Sequence, residues 1–305
     1  MPVAAAHERL KEVIQGSVRL SESMARHTTY RIGGSAALFV VCDTVSDIAH
    51  TLRVLVDEGV EYTVVGKGSN ILVSDAGYDG AVVVLGREFK RHSVEGEQIR
   101  SGASVILAAV VQDAFSRGLA GMEFAVGIPG TVGGALAMNA GSRDDWIGNR
   151  VESVTLFDPV AGLVAVRGSE VSWGYRSTDL AHRGLIVECV LHAENGDKER
   201  IQRTMESSFR RRKATQPLGV PCAGSVFMNP IGDSAGRLIE SVGMKGAHVG
   251  GARVSGVHAN FIVNEGGASA RDVCILIQQV RDAVRDRYGI ELQTEIRFLG
   301  TFDGT

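Results

Sequence analysis

The stretch Gly66-Lys67-Gly68-Ser69-Asn70, running straight on into Ile71-Leu72-Val73, decides how this chain is read. It follows the apolar run Tyr62-Thr63-Val64-Val65, so it reads as a tight loop leaving a buried strand. Gly66 and Gly68 let backbone N–H groups turn inward and approach a ligand closely. Ser69 and Asn70 add short hydrogen-bonding side chains. Amides lining such a concavity favour an anion, most often a phosphate. A strand-to-strand turn without a ligand has the same look, because glycine turns are common.

Upstream of the loop, Thr44 to Glu58 carries Val45, Ile48, Leu52, Leu55 and Val56 at helical spacing, with Thr44 as N-cap, Asp47 behind it and Gly59 as the stop. Strands are expected at Ala37–Cys42, Tyr62–Val65 and Ala81–Leu85, which makes a small β-α-β unit. Residues 1–20 read as a helix with Leu10, Val13 and Ile14 on one face. Thr28, Thr29, Gly33 and Gly34 read as an extended arm ending in a turn.

Downstream, short strands at His92–Val94 and Gln98–Ser101 precede a helix at Val105–Arg117. A second glycine stretch follows, Gly127-Ile128-Pro129-Gly130-Thr131-Val132-Gly133-Gly134-Ala135, and runs on to Asn139 and Gly141. It reads as a turn opening a short helix from about Val132, capped by Thr131. Its unpaired N–H groups would form a second anion cradle. A close-packed glycine turn is the alternative, but two cradles in one chain point to one extended phosphate ligand. Neither is a common nucleotide fingerprint: Ile71 takes the place of the third glycine of GxGxxG, and no Gly-Lys-Ser/Thr end makes a P-loop.

Strands at Val151–Asp158, Leu163–Val166 and Leu185–Ala193 flank Trp173-Gly174-Tyr175-Arg176-Ser177-Thr178. Asp197–Lys213 reads as a helix whose basic end, Arg210-Arg211-Arg212-Lys213, suits a helix C-terminus better than a nucleic-acid site. The last third holds the loop Cys222-Ala223-Gly224-Ser225-Val226-Phe227-Met228-Asn229-Pro230 and a helix at Ser234–Val242. A strand at His258–Asn264, a helix at Ala268–Tyr288 and a closing strand at Thr294–Leu299 follow, the last with Glu295 and Arg297 on one face. The domain boundary is expected near residue 200.

A chain of 305 residues can bury a sizeable core, and 44% hydrophobic with 22% charged residues is ordinary for a globular protein. A net charge of -3 gives no support for a general nucleic-acid binder. Cys42, Cys189, Cys222 and Cys274 form no CxxC pair, so no structural zinc or other metal site is expected and a reducing cytoplasm fits. No signal peptide and no membrane span are expected from the apolar runs.

Seven motifs stand in order: His27-Thr-Thr-Tyr-Arg-Ile-Gly-Gly34, Gly66-Lys-Gly-Ser-Asn70, Gly127-Ile-Pro-Gly-Thr-Val-Gly-Gly134, Tyr175-Arg-Ser177, Gly224-Ser-Val-Phe227, His258-Ala-Asn-Phe-Ile262 and Glu295-Ile-Arg297. Together they resemble the UDP-N-acetylenolpyruvoylglucosamine reductase family from about Arg26 to Gly300. The resemblance implies an α+β fold: a two-subdomain FAD-binding region of the vanillyl-alcohol-oxidase-like type and a C-terminal α+β substrate domain. The expected division is 1–85, 86–200 and 201–305. No tyrosine-bearing insertion fits in the short C-terminal part, so the chain resembles the shorter subclass. The implied enzyme is an oxidoreductase acting on a CH–CH group in peptidoglycan synthesis. Its FAD is noncovalent, NADPH is the hydride donor and UDP-N-acetylglucosamine-enolpyruvate is the substrate. A cytoplasmic monomer without nucleic-acid or membrane partners is expected.

The resemblance carries roles onto residues. Val65, Gly66, Lys67, Gly68, Ser69, Asn70, Ile71, Gly127, Ile128, Pro129, Gly130, Thr131, Gly133, Gly134, Ala135, Asn139, Gly141 and Val187 are expected at the FAD. Ser225 matches the family's proton donor, Arg176 the arginine that polarises the substrate carboxylate, and Glu295 the acid beside the enolate. Tyr175, Asn229, Arg237, Lys245, His258 and Asn260 are expected at the sugar nucleotide. Met228 departs from the basic residue expected in that loop. Read without the resemblance, Ser225 is an ordinary loop serine, Arg176 a partner of Asp179, and Glu295 a partner of Arg297. The competing functions are another FAD-dependent oxidoreductase of the same superfamily and a non-catalytic flavin-binding protein.

Overall fold

The computed structural model describes residues 2–142 and 145–302, and the chain divides into two compact units. The first takes the N-terminal segment up to Leu20, Leu38–Lys67 and Gly80–Arg210. The second takes Ser21–Ala37, Gly68–Asp79 and the chain from Arg211 on.

The first unit contains two cores. One lies under a four-stranded sheet, in spatial order Ser17–Ser23, Ser35–Cys42, Tyr78–Leu85 and Tyr62–Val64. Leu38, Val40, Ile48, Leu52, Leu55 and Val83 fill it, with Ala6 and Leu10 from the first helix. That helix is Pro2–Val13 and does not run on to residue 20 as expected. The amides of Gln15 and Gly16 turn to the buried Asp47 carboxylate at 3.0 Å each, and the chain then becomes the strand Ser17–Ser23. Helix Val45–Asp57 forms as its periodicity requires, with the Thr44 hydroxyl accepting from Asp47 N. The strand ahead of the glycine loop is not buried: Tyr62 is 40% and Val64 43% exposed. Among the described residues Tyr62–Val64 is the edge of its sheet, paired with Tyr78–Leu85 in parallel register Tyr62↔Ala81, so no strand flanks its other side.

The other core lies on a five-stranded antiparallel sheet, in order Gly162–Arg167, Val151–Asp158, Leu185–His192, Gln98–Gly102 and His92–Glu95. Leu185–His192 alternates buried and half-buried positions along its length, as a strand with one covered face should. Helices Leu107–Ser116 and Val132–Ala137 cover it through Leu107, Val110, Val111, Val132 and Leu136. Cys189 belongs to this core and Cys42 to the first; burial pushes the Cys42 thiol up to about 12.

The second unit is built on helix Ala270–Tyr288, opened by a Ser269–Asp272 capping box and closed by Gly289 in the left-handed region. A three-stranded sheet, His248–Val249, Ala252–Val254 and Ile262–Asn264, packs on it. Early segments complete the core. Tyr30 is fully buried with its hydroxyl on Ile262 O at 2.8 Å, and Leu72 packs in the same cluster. Ile71–Val73 leaves the glycine loop and pairs in parallel with Arg297–Leu299, in register Arg297↔Ile71.

Two expected strands are shorter than their patterns. Of His258–Asn264 only Ile262–Asn264 is extended, because Phe261 N closes a turn on His258 O. Of Thr294–Leu299 only Arg297–Leu299 is a strand, while Thr294 forms an isolated bridge with Phe227. Glu295 and Arg297 therefore do not share one ladder face. Among the described residues, no helix is long and apolar enough to cross a membrane, and no three His, Cys, Asp or Glu side chains are grouped to hold a metal ion.

Candidate active site

The two glycine turns meet in the first unit. A Cβ added to Gly66 would lie 2.5 Å from Thr131 Oγ1, so only glycine fits against that side chain. Thr131 Oγ1 in turn accepts from Gly134 N at 3.2 Å and caps the short helix, as its place in the sequence predicts. The helix-start amides are not unpaired as expected. Val132 N donates to Val105 O at 2.9 Å and Gly133 N to Ala103 O at 2.8 Å, because the segment before the preceding helix runs alongside. The amides that remain open belong to the turns: those of Gly66, Lys67, Gly127, Gly130 and Thr131 make no hydrogen bond to another described residue. Thr131 is 6% exposed, so its orphan N–H calls for a ligand acceptor. Open amides on two turns that meet at Gly66 and Thr131 fit a phosphate or pyrophosphate group.

Asn139 and Val187 are both engaged within the protein. Asn139 is buried at φ +42°, donating to Gly174 O at 2.9 Å and accepting from Gly148 N at 3.1 Å. Its amide thus fixes the scaffold around the turn. The Val187 side chain lies in the apolar core, and its carbonyl accepts from Ala103 N.

Arg176 is also in the first unit. Its backbone is left-handed at φ +55°, an unusual state for a non-glycine residue. Its guanidinium donates to Gly141 O at 3.2 Å and lies 5.3 Å from the centre of the Tyr175 ring. Asp179 holds Arg183 and the Ser172 amide.

In the second unit, the segments that carry Ser225 and Glu295 run side by side. Glu295 N donates to Val226 O at 2.8 Å, and Met228 N to Gln293 O at 2.9 Å, on either side of the Phe227–Thr294 bridge. Both residues are half-buried. Gly224, at φ +77° with open space beside it, gives the serine loop its turn. Asn70 Nδ2 donates to Glu295 O at 3.1 Å, and Asn70 O accepts from Arg297 N at 3.0 Å. Thr29, read from sequence only as part of an arm, donates from its hydroxyl to Cys222 O at 2.7 Å and from its amide to Gly68 O at 3.1 Å. It ties the Gly68 end of the glycine loop to the segment leading to Ser225. No local periodicity marks such a residue.

The expected sugar-nucleotide residues are arranged unevenly. Arg237 is bidentate on Asp233, four residues back, which pulls the Asp233 carboxyl down to about 2. Lys245 pairs with Glu240 at 3.0 Å. Asn229 is exposed, and its side-chain oxygen accepts from Ala235 N. Tyr175 is 54% exposed. Asn260 is buried with its amide turned inward onto the Phe227 backbone.

His258 Nδ1 accepts from Asn260 N at 3.1 Å, so the neutral ring carries its proton on Nε2. Burial lowers its pKa below the usual 6.5; Lys245 lowers it further and Glu240 works the other way. The unfolded chain therefore takes up this proton first. The stabilisation contributed by neutral His258 is complete above 6.5 and is lost as the pH falls through the lowered folded value. The thermal midpoint of the protein is expected to fall as the pH drops below 6.5. His258→Gln should flatten that part of the curve; an unchanged slope in the variant would exclude His258 as its source.

Two families match the chain: "FAD binding domain" over residues 36–166, and "UDP-N-acetylenolpyruvoylglucosamine reductase, C-terminal domain" over residues 216–299. The UDP-N-acetylenolpyruvoylglucosamine reductase of Heliobacterium modesticaldum is 43% identical over 292 residues, covering 95% of this chain and 93% of its own. That of Bacillus subtilis is 40% identical over 296 residues, covering 96% and 97%. Among solved structures, the UDP-N-acetylenolpyruvylglucosamine reductase of Thermus caldophilus superposes with a TM-score of 0.82 at 34% identity, over 94% of this chain and 99% of its own.

Proposed function

The chain belongs to the UDP-N-acetylenolpyruvoylglucosamine reductase family, and from that premise we propose that it is the NADPH-dependent flavoenzyme that reduces UDP-N-acetylglucosamine-enolpyruvate to UDP-N-acetylmuramate. The fold is α+β, an FAD-binding region with the C-terminal domain of that family. The observation that carries the reading is coverage: a relative of that name, 43% identical, spans 95% of the chain, flavin region and C-terminal domain alike.

Bound FAD would pass a hydride from NADPH to the methylene carbon of the enolpyruvyl ether. The chain's own residues then have four tasks. The open amides of Gly66, Lys67, Gly127, Gly130 and Thr131 hold the FAD pyrophosphate, and Ile128 lies beside the same turn. Arg176 grips the substrate carboxylate with its planar fork and stabilises the negative charge that spreads onto it. Glu295 hydrogen-bonds the developing enolate. Ser225 gives the proton from its Oγ to the carbon bearing the carboxylate, and its alkoxide is reprotonated from water. Hydride and proton together saturate the double bond, and NADP⁺ is released.

Tyr175, Asn229, His258, Arg237 and Lys245 serve the sugar nucleotide. Arg237 and Lys245 must exchange Asp233 and Glu240 for its phosphates, which trades one charge-assisted contact for another. Arg237 or Lys213 would supply the basic group missing at Met228. Residues 1–85 and 86–200 act as the flavin subdomains and 201–305 as the substrate domain, with 21–37 and 68–79 lent to the last unit. The enzyme works as a cytoplasmic monomer. Purified protein should show flavin absorbance and oxidise NADPH only when the enolpyruvyl sugar nucleotide is present. Colourless protein, or NADPH oxidation indifferent to that substrate, would overturn the proposal.

A further inference from the structure

Asn260 uses every polar group it has. Its carbonyl accepts from Val226 N at 2.8 Å, its side-chain oxygen from Phe227 N at 2.9 Å, and its side-chain NH₂ donates to Phe227 O at 2.8 Å. Its own amide donates to His258 Nδ1. The residue is 3% exposed, so these bonds are made away from water. Three of the four fall on Val226 and Phe227, the residues directly after Ser225. The opposite edge of the same short segment is held by Glu295 N on Val226 O and Met228 N on Gln293 O. The segment after Ser225 is thus held between the Asn260 side-chain amide on one side and the Glu295 segment on the other.

We infer that Asn260 is the positioning residue of the Ser225 loop: it fixes the serine hydroxyl for delivery of its proton to one face of the substrate carbanion. The inference rests on the proposed function and deepens it. The requirement is for asparagine in particular. One flat amide must present an acceptor and a donor to the two sides of a single residue. Aspartate keeps the acceptor and sets a second oxygen against Phe227 O. Alanine leaves both Phe227 groups buried without partners. Because all its own polar groups are engaged, Asn260 reaches the chemistry only through the backbone it holds. A displacement of about 1 Å at a reacting group costs on the order of 10²-fold in rate.

The test uses full-length holoenzyme carrying Asn260→Asp or Asn260→Ala, with thermal midpoint and flavin absorbance as checks of folding. Flavin reduction by NADPH without sugar nucleotide should stay within about twofold of wild type. Reoxidation by the enolpyruvyl substrate should slow by on the order of 10²-fold, with kcat falling and KM nearly unchanged. In D₂O the wild type should give one configuration at the deuterated carbon bearing the carboxylate. The variants should give both, since water then reaches either face. A merely structural role would lower the amount of active enzyme without mixing the configurations. Wild-type reoxidation rate with a single configuration in Asn260→Asp would overturn the inference. Hydrogen exchange tests it independently of turnover, and does so even where the variants do not fold. The wild-type Phe227 amide should be protected as strongly as Ile262–Asn264, and exchange at the rate of an open loop would contradict the clamp. Failure of the functional reading looks different: wild type itself would not be reoxidised by the sugar nucleotide, while Phe227 protection would remain.

Discussion

Ser225→Ala is expected to leave reduction of the bound flavin by NADPH near the wild-type rate and to slow reoxidation by the enolpyruvyl substrate by roughly 10²- to 10⁴-fold, the usual contribution of a positioned general acid. The two half-reactions should separate because the proposed mechanism uses different residues in each. In the proposed reaction, accepting hydride from NADPH would call on the glycine turns and leave no carbanion to protonate. Reducing the enolpyruvyl ether would leave charge on the carbon bearing the carboxylate, which a placed proton completes. Ser225 is suited to this by its surroundings: a turn at Gly224 frees the hydroxyl, and paired amides at Val226, Phe227 and Met228 fix the backbone behind it. Removing one hydroxyl from a half-buried loop leaves these backbone bonds in place, so the fold should be unaffected. Rapid-mixing absorbance of the flavin resolves the two phases. Normal reoxidation in Ser225→Ala would remove the serine from the mechanism.

Gly68→Ala should yield protein largely without flavin. At φ +64° an alanine costs about 1–2 kcal/mol before any contact is considered. Its Cβ would then sit 2.2 Å from His27 O and 2.8 Å from Thr28 Cα, which are backbone atoms and cannot rotate away. Relief requires parting the loop from the arm at the point where Thr29 N bonds Gly68 O, and Thr29 also holds Cys222 O. The substitution therefore spoils the glycine turn and the segment leading to Ser225 together. A matched control is Gly243→Ala, at φ +76° with nothing within 4 Å of the added Cβ. It should carry the conformational strain alone and keep its flavin. The ratio of flavin to protein absorbance after purification reads the difference, and full flavin in Gly68→Ala would contradict the role given to the loop.

Local features of the fold were legible in the sequence, and long-range ones were not. The Thr44 cap, the Val45–Asp57 helix and the Thr131 cap follow from side-chain spacing, and all form as read. The strands Val151–Asp158 and Leu185–His192 were likewise plain from their apolar patterns. What failed depended on partners distant along the chain. Tyr62–Val64 looks buried by composition but lies at a sheet edge. The amides of Val132 and Gly133 look free until Val105 and Ala103 run beside them. Glu295 and Arg297 look like same-face neighbours until Phe227 bridges Thr294. The Asp233–Arg237 pair, by contrast, stands at an ordinary helical spacing and could have been read directly. At the site, residue types pointed to chemistry, while the roles of Asn260 and Thr29 emerged only from what their bonds hold.

Product analysis tests the central claim most directly. Full-length protein incubated with NADPH and UDP-N-acetylglucosamine-enolpyruvate, then examined by mass spectrometry, should convert the sugar nucleotide to a species heavier by two hydrogens, with one molecule of product formed for each NADPH consumed. An unchanged sugar nucleotide, whether or not NADPH is oxidised, would contradict the account.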